Sequence, residues 1–222
     1  MLKALVFDYN GVLLNDLDYQ VESYWKAGRD MGFDIAKETV KRYISYPPVQ
    51  KKDLYFGNIT EPEWKKVFDL KERYYYELID QKNLLFPDVE KILSSLAKQF
   101  ALAIISNTVR SLFERTFPRH LSDLFQVTRF ADEVSEPKPS PQPLLNIVQI
   151  LDISTNECCY IGDSVEDIRM AKAAGVKIIS VATGVCSKEE LAEAGPDRLV
   201  ANLKELYSQL KSGIAGVIGQ TV

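Results

Sequence analysis

The stretch Leu2-Lys3-Ala4-Leu5-Val6-Phe7-Asp8-Tyr9-Asn10-Gly11-Val12-Leu13-Leu14 decides how the rest of the chain is read. Its first half is an apolar run, too short to span a membrane and rich enough in Leu, Val and Phe for a strand buried on both faces. A carboxylate, an amide and a glycine then arrive together where that strand would end. In open α/β sheets ligands bind just outside the carboxyl ends of the strands, so Asp8 is a site candidate by position alone. Asn10-Gly11 is also a common turn dipeptide, and these residues alone fit a plain turn equally well.

Beyond this stretch, two halves of different character follow. From Asp16 to Lys82 the pattern is helical. Leu17, Val21, Tyr24, Gly28 and Met31 lie at helical spacing with Gly32 as a stop, and a second helix runs from about Lys37 to Tyr46, ending at Pro47-Pro48. Thr60-Glu61-Pro62-Glu63 has capping-box spacing with a proline in the first turn; Trp64, Val67, Phe68, Lys71, Tyr75 and Leu78 then mark one face, with the stem of Lys71 along it. Eight of the 11 tyrosines and both tryptophans fall here. Aromatics at this spacing predict the core of a small bundle, which leaves Tyr46 to Lys52 and Phe56-Gly57-Asn58 as loops with the best claim to substrate contact.

From Leu85 onward apolar runs alternate with helices: helix faces at Val89–Leu96, Leu112–Phe113, Leu144–Leu151, Ile168–Ala171 and Leu203–Leu210, and strands at Phe100–Ile105, Phe125–Phe130, Cys158–Ile161, Val176–Val181 and Asp197–Ala201. Alternation of this length predicts an α/β fold with a doubly wound parallel sheet. The division is a core of residues 1-15 and 83-222 with an inserted helical domain at 16-82. The tail Ser212 to Val222 is apolar but Gly-rich and is assigned no element.

Composition narrows the functional classes. A net charge of −4, with 46% apolar and 26% charged residues, is that of an ordinary globular protein and gives no basic surface for nucleic acid or an anionic membrane. A basic, apolar leader is missing and no run approaches the length of a membrane span, so a cytoplasmic location is the expectation. One histidine, His120, leaves no room for zinc clusters or histidine triads and reads as a surface residue. Cys158, Cys159 and Cys186 read as reduced core residues.

Polar groups stand at or just after several strand ends: Asp8 and Asn10, Ser106 and Asn107, Lys138 in the loop Glu136-Pro137-Lys138-Pro139, and Asp163 with Asp167 in Gly162-Asp163-Ser164-Val165-Glu166-Asp167. In a parallel sheet those ends share one edge, so residues far apart in sequence can converge. Taken singly, each has a structural reading too: Lys138 as a solvated loop lysine, Ser106-Asn107 as a helix cap, Asp163 and Asp167 as acids favoured at a helix start.

Together, in this order, these motifs resemble the haloacid dehalogenase superfamily, and the helical insert resembles the small cap of its phosphoglycolate phosphatase and β-phosphoglucomutase branch. The resemblance implies a Rossmann-like core and a phosphohydrolase acting on a small phosphorylated metabolite. Asp8 would be the nucleophile that forms an aspartyl-phosphate. Mg²⁺ would be held by Asp8, the backbone carbonyl of Asn10 and Asp163, with Asp167 behind them. Lys138 would lend positive charge to the phosphoryl group, and Ser106 and Asn107 would bind its oxygens.

This sequence departs from the family at one position. Most phosphatases of the superfamily carry an aspartate two residues after the nucleophile, as general acid and base; here Asn10 stands there, and an amide performs neither proton transfer. Slow hydrolysis is one implication. A catalytically impaired phosphate- or partner-binding homologue is another, and a phosphonate hydrolase or phosphomutase relative a third. Dehalogenation is disfavoured because the dehalogenases use no metal, whereas Asp163 and Asp167 preserve a site for one.

Overall fold

The computed structural model describes residues 1–212, so the rest of the Gly-rich tail lies outside the described residues. The chain divides into two compact units, Met1–Asn15 with Leu85–Val222, and Asp16–Leu84.

The first unit is built on a six-stranded sheet in the order β3-β2-β1-β4-β5-β6, with every neighbouring pair parallel. The strands are β1 (Ala4–Phe7), β2 (Ala101–Ser106), β3 (Phe125–Phe130), β4 (Cys158–Gly162), β5 (Lys177–Val181) and β6 (Arg198–Val200). Parallel strands need crossovers on the sheet faces, and the covering helices explain why Ala4, Leu5, Val6 and Phe7 are all fully buried. One layer of the core joins Val6, Ala103 and Tyr160 on the sheet to Leu144, Ile147, Ile168 and Ala171 on helices.

β1 occupies the middle, with the chain winding outward to β2 and β3 on one side and to β4, β5 and β6 on the other. That reversal of strand order opens a crevice at the carboxyl ends of β1 and its neighbours. Register fixes what meets there. Phe7 pairs with Ile104 of β2 and Ile161 of β4, and the Asp8 amide donates to Ile161 O at 2.8 Å. Asp8, Ser106 and Asp163 therefore leave the sheet at nearly the same height.

The second unit consists of α1 (Leu17–Asp30), α2 (Lys37–Arg42), α3 (Pro48–Phe56) and α4 (Glu61–Ile79). α1 packs on α4, Val21, Tyr24, Ile35, Val40 and Tyr55 form a core cluster of this unit, and Tyr24 stacks on Trp64 of α4 with 6.5 Å between centroids. A Cβ at Gly28 of α1 would come within 2.9 Å of the Phe56 ring of α3, so a larger residue would have to push that ring aside. Thr60 starts α4 with the capping box its spacing predicts.

The structure corrects one expectation here. Pro47-Pro48 ends no helix running to Tyr46, because α2 stops at Arg42, and the segment from Pro48 to Lys52 is no loop but the start of α3. Proline at a first helical position forfeits nothing, since its missing N–H would have no intrahelical acceptor there and its φ is already helical. The short helices Arg119–Ser122 and Lys188–Ala194 also had no counterpart in the sequence reading.

Cys158 and Cys159 are buried free thiols and Cys186 is half-buried, while His120 is exposed beside Glu90. Among the described residues no helix is long and apolar enough to cross a membrane.

Candidate active site

Asp8 follows β1 directly, and its Oδ1 accepts from the Tyr9 amide at 2.6 Å. Its other oxygen, Oδ2, is 2.9 Å from Lys138 Nζ. Lys138 arrives from the loop after β3, which Asn107 ties to the end of β2 by donating its Nδ2 to Lys138 O at 3.2 Å. The same ammonium lies 2.8 Å from Asp167 Oδ1, so a single buried cation bridges two buried carboxylates.

Asp167 divides its two oxygens between two tasks. Oδ2 accepts from the amides of Asp163 and Ser164, each at 3.1 Å, and from the Ser164 hydroxyl at 2.7 Å, completing the capping box of the helix Val165–Ala174. Oδ1 is left for Lys138 and for the Tyr160 hydroxyl, which donates at 3.0 Å. An acid at a helix start and a site residue are thus one and the same carboxylate. Close packing fixes it further: a Cβ at Gly162 would fall 2.5 Å from the Asp167 carboxyl carbon.

Asp163 leaves the end of β4, where its Oδ2 accepts from the Val185 amide at 3.0 Å. Two glycines make room for it. A Cβ on Gly11 would lie 2.5 Å from Asp163 Oδ2, and one on Gly184 would lie 1.6 Å away. Gly11 also takes φ of +81°, a left-handed conformation that other residues adopt at a cost. Thr183 closes the same corner by donating its hydroxyl to Gly11 O at 2.6 Å.

On the β2 side, the Ser106 hydroxyl points to Asn10 Oδ1 at 3.5 Å and accepts from the Thr108 amide at 3.2 Å. Asp8, Asn10, Ser106, Asn107, Lys138, Asp163 and Asp167 thus all lie at one edge of the sheet. Sequence reasoning missed Tyr160, whose hydroxyl accepts from Lys138 at 3.3 Å, as well as the Thr183-Gly184-Val185 turn. The turn had a signal, since Thr183-Gly184 follows the apolar run of β5 much as Asp8 follows β1. Tyr160 had none, being indistinguishable in sequence from strand filling.

The electrostatics are those of a crowded acidic pocket. Burial, offset by the Lys138 charge and reinforced by that of Asp167, raises Asp8 to about 6. Burial together with the charges of Asp8 and Asp167 pushes Asp163 well above the ordinary carboxylate range. Lys138 is held charged: burial opposes its ionisation, but Asp167 and Asp8 outweigh it and raise its pKa. Oxygens of Asp8, Asp163 and Asp167 all come within 4.8 Å of one another, with Lys138 paired to Asp8 and Asp167. The all-oxygen, buried, under-neutralised donor set fits a hard divalent cation such as Mg²⁺.

Residues 5–181 match the family of haloacid dehalogenase-like hydrolases. A phosphoglycolate phosphatase of Shigella boydii is 31% identical over 180 residues, covering 78% of this chain and 68% of its own. A phosphorylated carbohydrates phosphatase of Thermotoga maritima is 26% identical over 219 residues, 92% of this chain and all of its own. In fold, the chain is similar to a hydrolase from Pseudomonas syringae, with a TM-score of 0.82 at 20% identity, over 95% of this chain and 98% of that one. With its parallel sheet, its carboxylates at the ends of β1 and β4 and a match spanning most of its length, the chain belongs to the haloacid dehalogenase-like hydrolase family.

Proposed function

We propose that the protein is a Mg²⁺-dependent phosphohydrolase that acts on a small phosphorylated metabolite through a phosphorylated Asp8. The observation that carries this reading is the placement of Asp8 2.9 Å from Lys138, in a cluster with Asp163 and Asp167. Relatives named for phosphatase activity on phosphoglycolate and on phosphorylated carbohydrates support it.

A phosphate monoester resists attack because its oxygens repel a nucleophile, so the site must supply positive charge while aiming a carboxylate at phosphorus. Asp8 is the carboxylate. Asp8, Asp163 and the carbonyl of Asn10 would hold Mg²⁺, with Asp167 behind them, and the cation would supply charge neutralisation to the phosphoryl oxygens and keep Asp8 ionised. Lys138 adds a positive charge of its own and screens Asp8 from the incoming anion. Ser106 turns its hydroxyl from Asn10 to a phosphoryl oxygen, and Asn107 holds the Lys138 loop in place for this.

Asn10 sits where an acid would protonate the leaving oxygen, and its amide does not. Attack on phosphorus survives this; protonation of a poor leaving group and activation of water against the acyl phosphate do not. Phosphorylated Asp8 therefore accumulates, which separates this reading from a homologue that only binds phosphate. An aryl phosphate plus Mg²⁺ should leave a label on the wild type that hydroxylamine releases, and none on Asp8→Asn. An unlabelled wild-type chain would overturn the proposal.

A further inference from the structure

Tyr160 stands in the middle of β4, where an apolar side chain would fill the strand, and no step described above uses it. β1 separates β4 from β2, with Val6 of β1 paired to Tyr160 on one side and to Ala103 on the other. The phenol crosses that central strand. Its hydroxyl arrives 3.3 Å from Ile105 O of β2, 3.0 Å from Asp167 Oδ1 and 3.3 Å from Lys138 Nζ. A buried tyrosine needs one acceptor for its proton, which Ile105 O alone would supply. This one, fully buried, also reaches the cation and a carboxylate of the site.

An ammonium carries three hydrogens and no acceptor. Lys138 directs them to Asp8 Oδ2 at 2.9 Å, to Asp167 Oδ1 at 2.8 Å and to the Tyr160 hydroxyl at 3.3 Å. A cation held by two partners can still swing about the line joining them, and a third contact stops it. Being neutral, the phenol supplies that contact without cancelling the charge a phosphoryl group would meet. Burial, with the charges of Asp167 and Asp8, pushes it well above its ordinary pKa, so the hydroxyl keeps its proton for Asp167.

We propose that Tyr160 is a positioning residue: its hydroxyl sets where the Lys138 ammonium stands between Asp8 and Asp167, and thereby the rate at which Asp8 is phosphorylated. This role rests on the phosphohydrolase reading and deepens it with a residue that acts through Lys138.

Tyr160→Phe removes one oxygen and keeps the ring. The full chain is mixed rapidly with Mg²⁺ and 4-nitrophenyl phosphate, and the nitrophenolate burst is followed. At saturation its rate constant should fall at least about tenfold, the size of one hydrogen bond to a charged group. The half-saturating concentration should stay within about twofold, because Lys138 keeps the charge that draws the anion in. Tyr207→Phe, which loses a hydroxyl bonded to Ser95 Oγ at 2.6 Å, should match the wild type. A hydroxyl with only a structural role would lower the burst amplitude, through misfolded chains, and leave the rate constant unchanged; that result overturns the proposal, as does a burst identical to that of the wild type. The ¹⁵N-lysine ammonium signal of Lys138, assigned by its loss in Lys138→Met, reads the contact without turnover. Tyr160→Phe should shift it, and an unmoved signal overturns the proposal. A wild type without a burst overturns the phosphohydrolase reading and with it the rate effect, while the Lys138 signal still decides the contact.

Discussion

Lys138 Nζ lies 2.9 Å from Asp8 Oδ2, with the two side chains only 3% and 10% exposed. An ion pair this dry is strongly asymmetric towards truncation, because removing the cation leaves Asp8 and Asp167 facing each other without a counter-charge. Lys138→Met should cost about 3 to 5 kcal/mol of stability. The urea midpoint of the metal-free variant should fall accordingly, and added Mg²⁺ should restore part of it. An unchanged midpoint would show that the carboxylates take up protons instead.

Replacing the amide at position 10 tests the chemistry directly. General acid-base catalysis is worth roughly 10² to 10⁴-fold. Asn10→Asp should therefore raise turnover of an alkyl phosphate by at least about a hundredfold, with a smaller gain on aryl phosphates, whose leaving groups need little protonation. Steady-state rates on the two substrate classes decide it. Equal rates for both forms on both classes would mean another group moves the proton.

Gly184 has no room for a side chain, since its Cβ would fall 1.6 Å from Asp163 Oδ2. In Gly184→Ala, either Asp163 or the turn after β5 must move, at a cost of about 1 to 3 kcal/mol. The thermal midpoint should fall, and half-maximal activity should need several times more Mg²⁺. An alanine variant with wild-type Mg²⁺ dependence would show that Asp163 has freedom this packing denies it.

The pH dependence of stability reports on Lys51, whose pKa is lowered from 10.5 to about 7 by burial and by Lys71, against the opposing pull of Asp16. A lowered lysine pKa destabilises the fold when the group is protonated, and the unfolded chain binds more protons between the two values, so stability rises with pH across that window. Lys71, lowered to about 8 by burial against the opposing pull of Asp16 and Glu72, contributes in the same direction. Lys51→Met should be more stable than the wild type at pH 6, and the difference should shrink by pH 9. Denaturation curves at the two pH values check this, and a constant difference would contradict it.

The sheet was legible because fully buried parallel strands leave an unmistakable run such as Ala4–Phe7, and because β1, β2 and β4 run into the polar residues Asp8, Ser106 and Asp163. Lys138 and Asp167 lie further along, in the loop after β3 and in the helix after β4, and were legible only from their order in the sequence. What pattern could not convey was what each atom does. Asp167 reads equally as a helix cap and as a site residue until its two oxygens are seen to point different ways. Lys71 reads as a stem covering apolar surface, yet its whole side chain is buried. Pro48 reads as a barrier, although in a first turn it is a helix starter.

Placing β1 at the centre of the sheet also sets the order in which the chain can fold. Ala4 pairs with Ala101 on one side and Cys158 on the other, so the central strand must wait for partners distant in sequence, and such nonlocal closure is slow. The helical unit is continuous from Asp16 to Leu84 and depends on nearer contacts. During synthesis it can condense while the apolar strand ahead of it is still unpaired, so that in the nascent chain an already folded insert separates β1 from the strands that will bury it.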